Sequence, residues 1–350
     1  MIRVGLSILI VATLAAVSFR AVACPMCIHG RTINISAQEL AYAGRSVLAL
    51  PDSNGTSFHV VETIKGDTAP GAVITEKVLK ADPLSVANSH VPLLLIRDDS
   101  WPSWVNFGPV DASHAGELRE LAATTRSTEM DASEWHAHVE TCLPHLDSPS
   151  PMMAAIADAE FAGAPYTALR SLKPQLDPSV LRKSLADPKL ASRQTQFILL
   201  LGISGDDQSA QPFQLRIEDA RRSNDSTHLA PLLAAMLELK GSSYVDWIEE
   251  NYLSDPSRST PEIAAALGAL GEHGKADAAV PRERVVAAFR AFLTANPDKA
   301  GLVASLLADW QRWEFTAAFK SLIESGTTLS SAERYAVLDF ITRSQKTAQK

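Results

Sequence analysis

From about Asp131 to the end of the chain, apolar residues return every three to four positions, a spacing that commits the backbone to packed helices. Val285, Phe289, Phe292 and Leu293 fall at i, i+4, i+7 and i+8. Val303, Leu306, Leu307 and Trp310 fall at i, i+3, i+4 and i+7, and Phe315, Phe319, Leu322 and Ile323 repeat the first pattern. At 3.6 residues per turn each set lines one stripe of a helix, so each predicts an amphipathic helix. Gly205, Gly241, Gly274 and Gly326 follow such apolar runs, in the position where a helix closes on a glycine.

Those stops are regularly spaced. Gly205 to Gly241 is 36 residues, Gly241 to Gly274 is 33, and Gly274 to Trp313 in the equivalent turn is 39, each interval holding two helical patterns. A two-helix unit of ~34 to 47 residues is the size of tetratricopeptide, HEAT or armadillo repeats. No tetratricopeptide or ankyrin consensus is legible, so irregular HEAT-like pairing is the expectation. Stacked pairs would build an α-solenoid with a concave surface; an ordinary bundle of the same helices is the alternative.

The stretch from about Gly44 to Phe107 reads differently, being rich in β-branched residues and broken by turn chemistry. "GRSVLALP", "FHVVETIKGD", "GAVITEKVL" and "HVPLLLIRDD" are four expected strands, the first two joined by the Asn-Gly turn "DSNGTS". In the second, Phe58, Val60 and Ile64 share one parity and define the more apolar face. The run Leu93 to Ile96 has no alternation, which predicts a central strand covered on both sides. A helix is expected in "DASHAGELRELAAT". The fold class is therefore an α+β chain in two domains: a small antiparallel β barrel over residues 24–125, a connecting helix or linker over 126–150, and an all-α repeat domain over 151–350.

The first 23 residues read as a secretory signal: Arg3, the apolar run "VGLSILIVATLAAVSF", then Ala21-Val22-Ala23 before Cys24. Cleavage there would start the mature chain at Cys24, in a periplasmic or secreted setting, and a lipid anchor on that cysteine is the variant of this reading. Loss of Arg3 and Arg20 would take the formal charge from −8 to −10. An acidic chain without a basic run is a poor partner for nucleic acid. No second stretch reaches the ~18 consecutive apolar residues of a membrane span.

Taken in order, "ACPMC" after a signal, "FHVVETIKGD", "EFAGAPYTALRSL", "FILLLGISG", "LLAAMLELKG" and "LLADWQRWEF" resemble a family of secreted bacterial proteins in which a β domain precedes HEAT-like repeats. The β region, with its cysteine at the mature end and its "V-x-x-x-K-G-D" strand end, is also similar to netrin-type OB barrels. Those generally carry more cysteines than the three present here. The resemblance implies an architecture and no reaction.

Candidate sites fall in four places. Cys24 and Cys27, in an oxidising compartment, are expected to form a local disulfide; with His29 they could instead bind copper or zinc, since thiolates and imidazole suit those metals. Ile28 stands where a c-type haem site needs histidine. His136, His138, Cys142 and His145 form a second group, in which Pro144 should stop the helix at about Leu143. The expected arrangement has Val139, Cys142 and Leu143 in the core and the histidines in solvent. Trp310, Trp313 and Phe315 could line a groove but match the spacing of core residues. Glu160, in "EFAGAPY" with Tyr166, could act as an acid or cap a neighbouring helix. No nucleophile, zincin, phosphate-loop or EF-hand motif is present. A non-enzymatic protein without a cofactor, binding a protein or peptide partner, is the functional expectation; metal binding or thiol-redox work through Cys24, Cys27 and His29 is the alternative.

Overall fold

The structure, a computed structural model, describes residues 36–79, 90–124, 130–275 and 279–348. It is mixed α/β, with one curled sheet followed by a long run of helices. The chain enters through α1 (Ala37–Tyr42) and then forms β1 (Arg45–Pro51), β2 (Phe58–Lys65), β3 (Val73–Ile74), β4 (Val78–Leu79), β5 (Leu93–Arg97), β6 (Trp104–Pro109) and α2 (Ala115–Thr124). Asp52 shapes the first hairpin turn by accepting the amides of Thr56 at 2.9 Å and Ser57 at 3.3 Å.

The strand order is β3-β2-β1-β5-β6-β4. Every pairing is antiparallel except β4 with β6. The expected third strand is split between the two ends of this order, because Val73–Ile74 pairs with β2 while Val78–Leu79 pairs with β6. Only Thr75, Glu76 and Lys77 lie between them. Four residue steps of extended chain span at most ~14 Å, whereas a flat six-stranded sheet would hold its outer strands ~24 Å apart. The sheet must curl, and that three-residue bridge measures how far.

Curling gives the sheet two buried faces. Leu93 and Leu95 point inward with Val47, Ala49, Phe58, Val60, Ile74 and Trp104. Leu94 and Ile96 point the other way, into a core shared with Ala37 and Leu40 of α1 and Leu118 and Leu121 of α2. The two-sided burial expected of β5 is thus observed. Strand β6 is unexpected from the sequence. Its pairing with β5 shifts register between Leu94 and Leu95, and it contains Gly108 at a φ of 121°, so no alternation marks it.

The helices are α3 (Ala132–Cys142), α4 (Pro151–Gly163), α5 (Tyr166–Ser171), α6 (Pro178–Ala186), α7 (Gln194–Ser204), α8 (Ala210–Ser223), α9 (Leu229–Lys240), α10 (Ser242–Ile248), α11 (Thr260–His273), α12 (Arg282–Ala295), α13 (Gly301–Asp309), α14 (Thr316–Glu324) and α15 (Ser331–Ala348). The odd-numbered ones from α3 to α15 each pack on the next, and the intervening helices lie against that row. Both α7 and α9 are apolar on every side and buried throughout most of their length, as a helix with neighbours all round must be. Gly202 lets them touch backbone to backbone: a Cβ there would fall 2.5 Å from Ala235 Cα.

One hydrophobic core runs from Leu48 and Leu94 in the sheet to Phe340 in α15, so sheet and helices are packed together without a polar break. Among the described residues no helix is long and apolar enough to cross a membrane.

Candidate functional site

Helix α3 begins with a capping box, Asp131 accepting the amides of Ser133 and Glu134 while Glu134 accepts that of Asp131. From that start, Trp135, His138, Val139 and Cys142 fall on one buried stripe. The α-helix ends at Cys142, and Pro144 lies in the 3-10 turn Leu143–His145 that follows. His138 is therefore a core residue, against the expectation of a solvated one. Its Nε2 lies 2.6 Å from Glu160 on α4, with both side chains almost fully buried. Glu160 also accepts the Ala37 amide at 2.6 Å, which makes it a cap on the first turn of α1. A single carboxylate ties α3, α4 and the entry of the sheet region together.

The other members of that histidine group separate. His136 is half-buried and bonds Ser171 on α5 at 2.6 Å. Cys142 is buried and free; burial, with the nearby Glu160 charge, pushes its thiol well above its usual range, so it is not a thiolate at neutral pH. Among the described residues no three His, Cys, Asp or Glu side chains converge to hold a metal. Cys24, Cys27 and His29 lie outside the described residues.

A second buried polar cluster sits where α5, α9 and α11 meet. Glu238 Oε1 accepts Arg170 Nε at 2.7 Å and the Tyr166 hydroxyl at 3.2 Å. His273 Nδ1 is 4.0 Å from the same oxygen, and its ring tilts against Tyr166 with centroids 5.2 Å apart. Burial, reinforced by the Arg170 charge, holds His273 down at about 3. With Glu238 already engaged by Arg170 and Tyr166, His273 is a neutral imidazole and not an ion-pair partner. The Ala234 backbone, which faces the ring, opposes this lowering without reversing it.

Trp310, Trp313 and Phe315 are packing residues. Trp310 stacks on Phe289 with centroids 5.7 Å apart, Trp313 meets Phe340 edge-on, and Phe315 is buried.

Among the depressions that open to solvent, two contrast in character. One, of about 650 Å³, lies between the end of α8 and Ser257–Arg258 and is lined by Glu218, Arg221, Arg222, Asn224, Ser257 and Arg258. Its cations face carboxylates of the same chain: Arg258 pairs with Asp255 and Glu262, Arg221 with Asp255, and Arg222 with Asp219. With its charge neutralised internally, it is a weak anion site.

The second, of about 300 Å³, is apolar and lies among the Leu143–His145 turn, α6 and α7. Leu146, Leu181 and Phe197 form its buried floor, and Val180, 49% exposed, stands at its edge. Asp147 and Asp177 are the ionisable groups in its lining. Asp177 is the N-cap of α6 and accepts the Ser179 amide at 2.8 Å; the Ser179 hydroxyl and amide hold its carboxyl below the usual range. Sequence reading did not single out this groove. Its trace in the sequence is slight: Val180 and Leu181 are adjacent apolar residues of α6, of which Leu181 is buried and Val180 is left at the surface.

No protein-family model, curated protein or solved structure matches the chain.

Proposed function

We propose that the chain is an exported, non-enzymatic interaction protein that holds a protein or peptide partner on a HEAT-like α-solenoid, behind an OB-like N-terminal barrel. The apolar groove beside α6 carries the reading: a water-facing, apolar-floored cavity with polar groups at its rim has the form of a side-chain binding pocket. The repeat architecture draws support from the chain's own cross-links. Side chains join equivalent places in successive helix pairs at separations of 33 to 37 residues, in His136–Ser171, Gln175–Glu140, Ser184–Asp147, Thr195–His228, Arg258 to the Arg221 carbonyl, Arg284–Glu249 and Arg343–Asp309. Such recurrence is what stacked repeats produce, each unit contacting its neighbours. The tight bridge between β3 and β4 supports the barrel-like N-terminal module. The signal-like first 23 residues support export.

The test is selection of a displayed peptide library on the purified full chain, with Val180→Glu as the counter-screen. The reading expects peptides that compete with one another and lose binding on Val180→Glu. Recovery of no peptide that distinguishes the two proteins would overturn it.

A further inference from the structure

Resting on that reading, we propose that the groove beside α6 takes an apolar side chain of a peptide together with an adjacent cationic residue, the cation lying at the Asp147–Asp177 rim. Three features of the cavity argue for this occupant. Its floor is hydrocarbon: Leu143, Leu146, Leu176, Leu181 and Phe197 supply no unpartnered donor or acceptor that a polar side chain could satisfy. A cavity of about 300 Å³ accommodates a single large aliphatic or aromatic side chain, a fit that favours one anchor over a broad protein face. The charge at the opening has one sign among the lining groups, with both Asp147 and Asp177 exposed.

Neither carboxylate is consumed by a cation within the lining. Asp147 accepts the Ser184 hydroxyl at 3.3 Å, and Asp177 accepts the Ser179 amide and hydroxyl. All three contacts come from neutral donors, and Arg182, whose charge also reaches Asp177, is itself held by Asp206 at 2.6 Å, so each carboxylate keeps its negative charge and lone pairs for a cation. The polar cleft by α8 provides the contrast, since there every arginine already faces a carboxylate of the same chain. A free peptide bearing Leu-Arg or Phe-Lys would find its apolar anchor and its charge partner within a few ångströms of each other. A peptide with a carboxylate beside the anchor would meet repulsion.

Four short synthetic peptides sharing one flexible frame and carrying Leu-Arg, Leu-Glu, Leu-Gln or Gly-Arg would be titrated against the full chain by fluorescence anisotropy at low and high salt. The proposal expects Leu-Arg to bind best, with an advantage over Leu-Gln of about 5-fold at low salt that shrinks at high salt. The double change Asp147→Asn and Asp177→Asn should erase that advantage while leaving Leu-Gln binding unchanged. Asparagine caps helices as well as aspartate does, so the variant keeps the fold of α6. Equal binding of Leu-Arg and Leu-Glu, with both lost on Val180→Glu, would overturn the cation preference and leave the groove reading standing. Failure of every peptide to distinguish the parent from Val180→Glu would overturn both. Persistence of the full Leu-Arg advantage in the double variant would place the cation elsewhere and also overturn the proposal.

Discussion

Substituting Gly202 by alanine tests the contact between α7 and α9 on which the helical row depends. The added methyl would sit 2.5 Å from Ala235 Cα, 2.7 Å from its Cβ and 3.1 Å from its carbonyl oxygen. None of these is the end of a flexible side chain, so relief requires one helix to move by about 1 Å against a close-packed core. Overpacking of this kind costs about 1 to 3 kcal/mol, and a rigid backbone obstacle belongs at or above the upper end. Alanine returns about 1 kcal/mol through helix propensity, which leaves a net loss of about 2 kcal/mol. Gly268, half-buried in α11 with nothing within 4 Å of its would-be Cβ, provides the internal reference. Gly268→Ala gains the same propensity without a clash and should stabilise by up to about 1 kcal/mol. Urea unfolding followed by far-ultraviolet circular dichroism measures both, and the two midpoints should move in opposite directions. A Gly202→Ala protein as stable as its parent would refute the close approach of α7 and α9.

Two further outcomes follow from the buried groups and a third from the proposed export. His273 has a folded-state value of about 3 against an ordinary 6.5, so the unfolded chain binds the extra proton, and this residue's contribution to stability falls as pH drops from about 6.5 toward 3, by up to about 1.4 kcal/mol per unit. His273→Leu should flatten the acid limb of a stability-against-pH curve by close to one proton; an unchanged slope would mean that His273 is charged and paired with Glu238. Glu160→Ala strands His138 and the Ala37 amide together and should cost about 3 to 5 kcal/mol, with Glu160→Gln losing much less, as read from unfolding midpoints; a loss below about 1 kcal/mol would sink the three-way tie. Intact-mass spectrometry of the exported protein should give a chain that begins at Cys24 and is lighter by a pair of hydrogens; two free thiols with bound zinc or copper would replace the disulfide with the metal site.

Much of the fold is legible in the residues, for reasons that are local. Hydrophobic period separates strands from helices because burial on one stripe or one face is decided by backbone geometry alone. Gly205, Gly241 and Gly326 do carry positive φ at helix ends. Gly274 also ends a helix, yet its φ is −84°. Its distinguishing constraint is tertiary, since a Cβ there would press into the Trp310 ring at 2.3 Å. The split of the third strand is likewise invisible locally, because which partner Val73–Ile74 and Val78–Leu79 choose depends on how the sheet curls. His138 and Glu160 are 22 residues apart in sequence and become partners only when α3 packs on α4. Two carboxylates, Asp158 and Glu160, interrupt the otherwise apolar run "AIADAEFAGA", and they are the trace that a polar partner exists, because burying a carboxylate unpaired would be prohibitive. The groove left the faintest mark, since cavities arise where separate elements fail to meet.

Hydrogen–deuterium exchange of the full chain, with and without a peptide selected on it, tests the central claim most directly. Slowed exchange confined to the Leu143–His145 turn and to α6 at Pro178–Ala186 is the predicted result. Protection at the α8 end and Ser257–Arg258 instead, or no protection at saturating peptide, would contradict it.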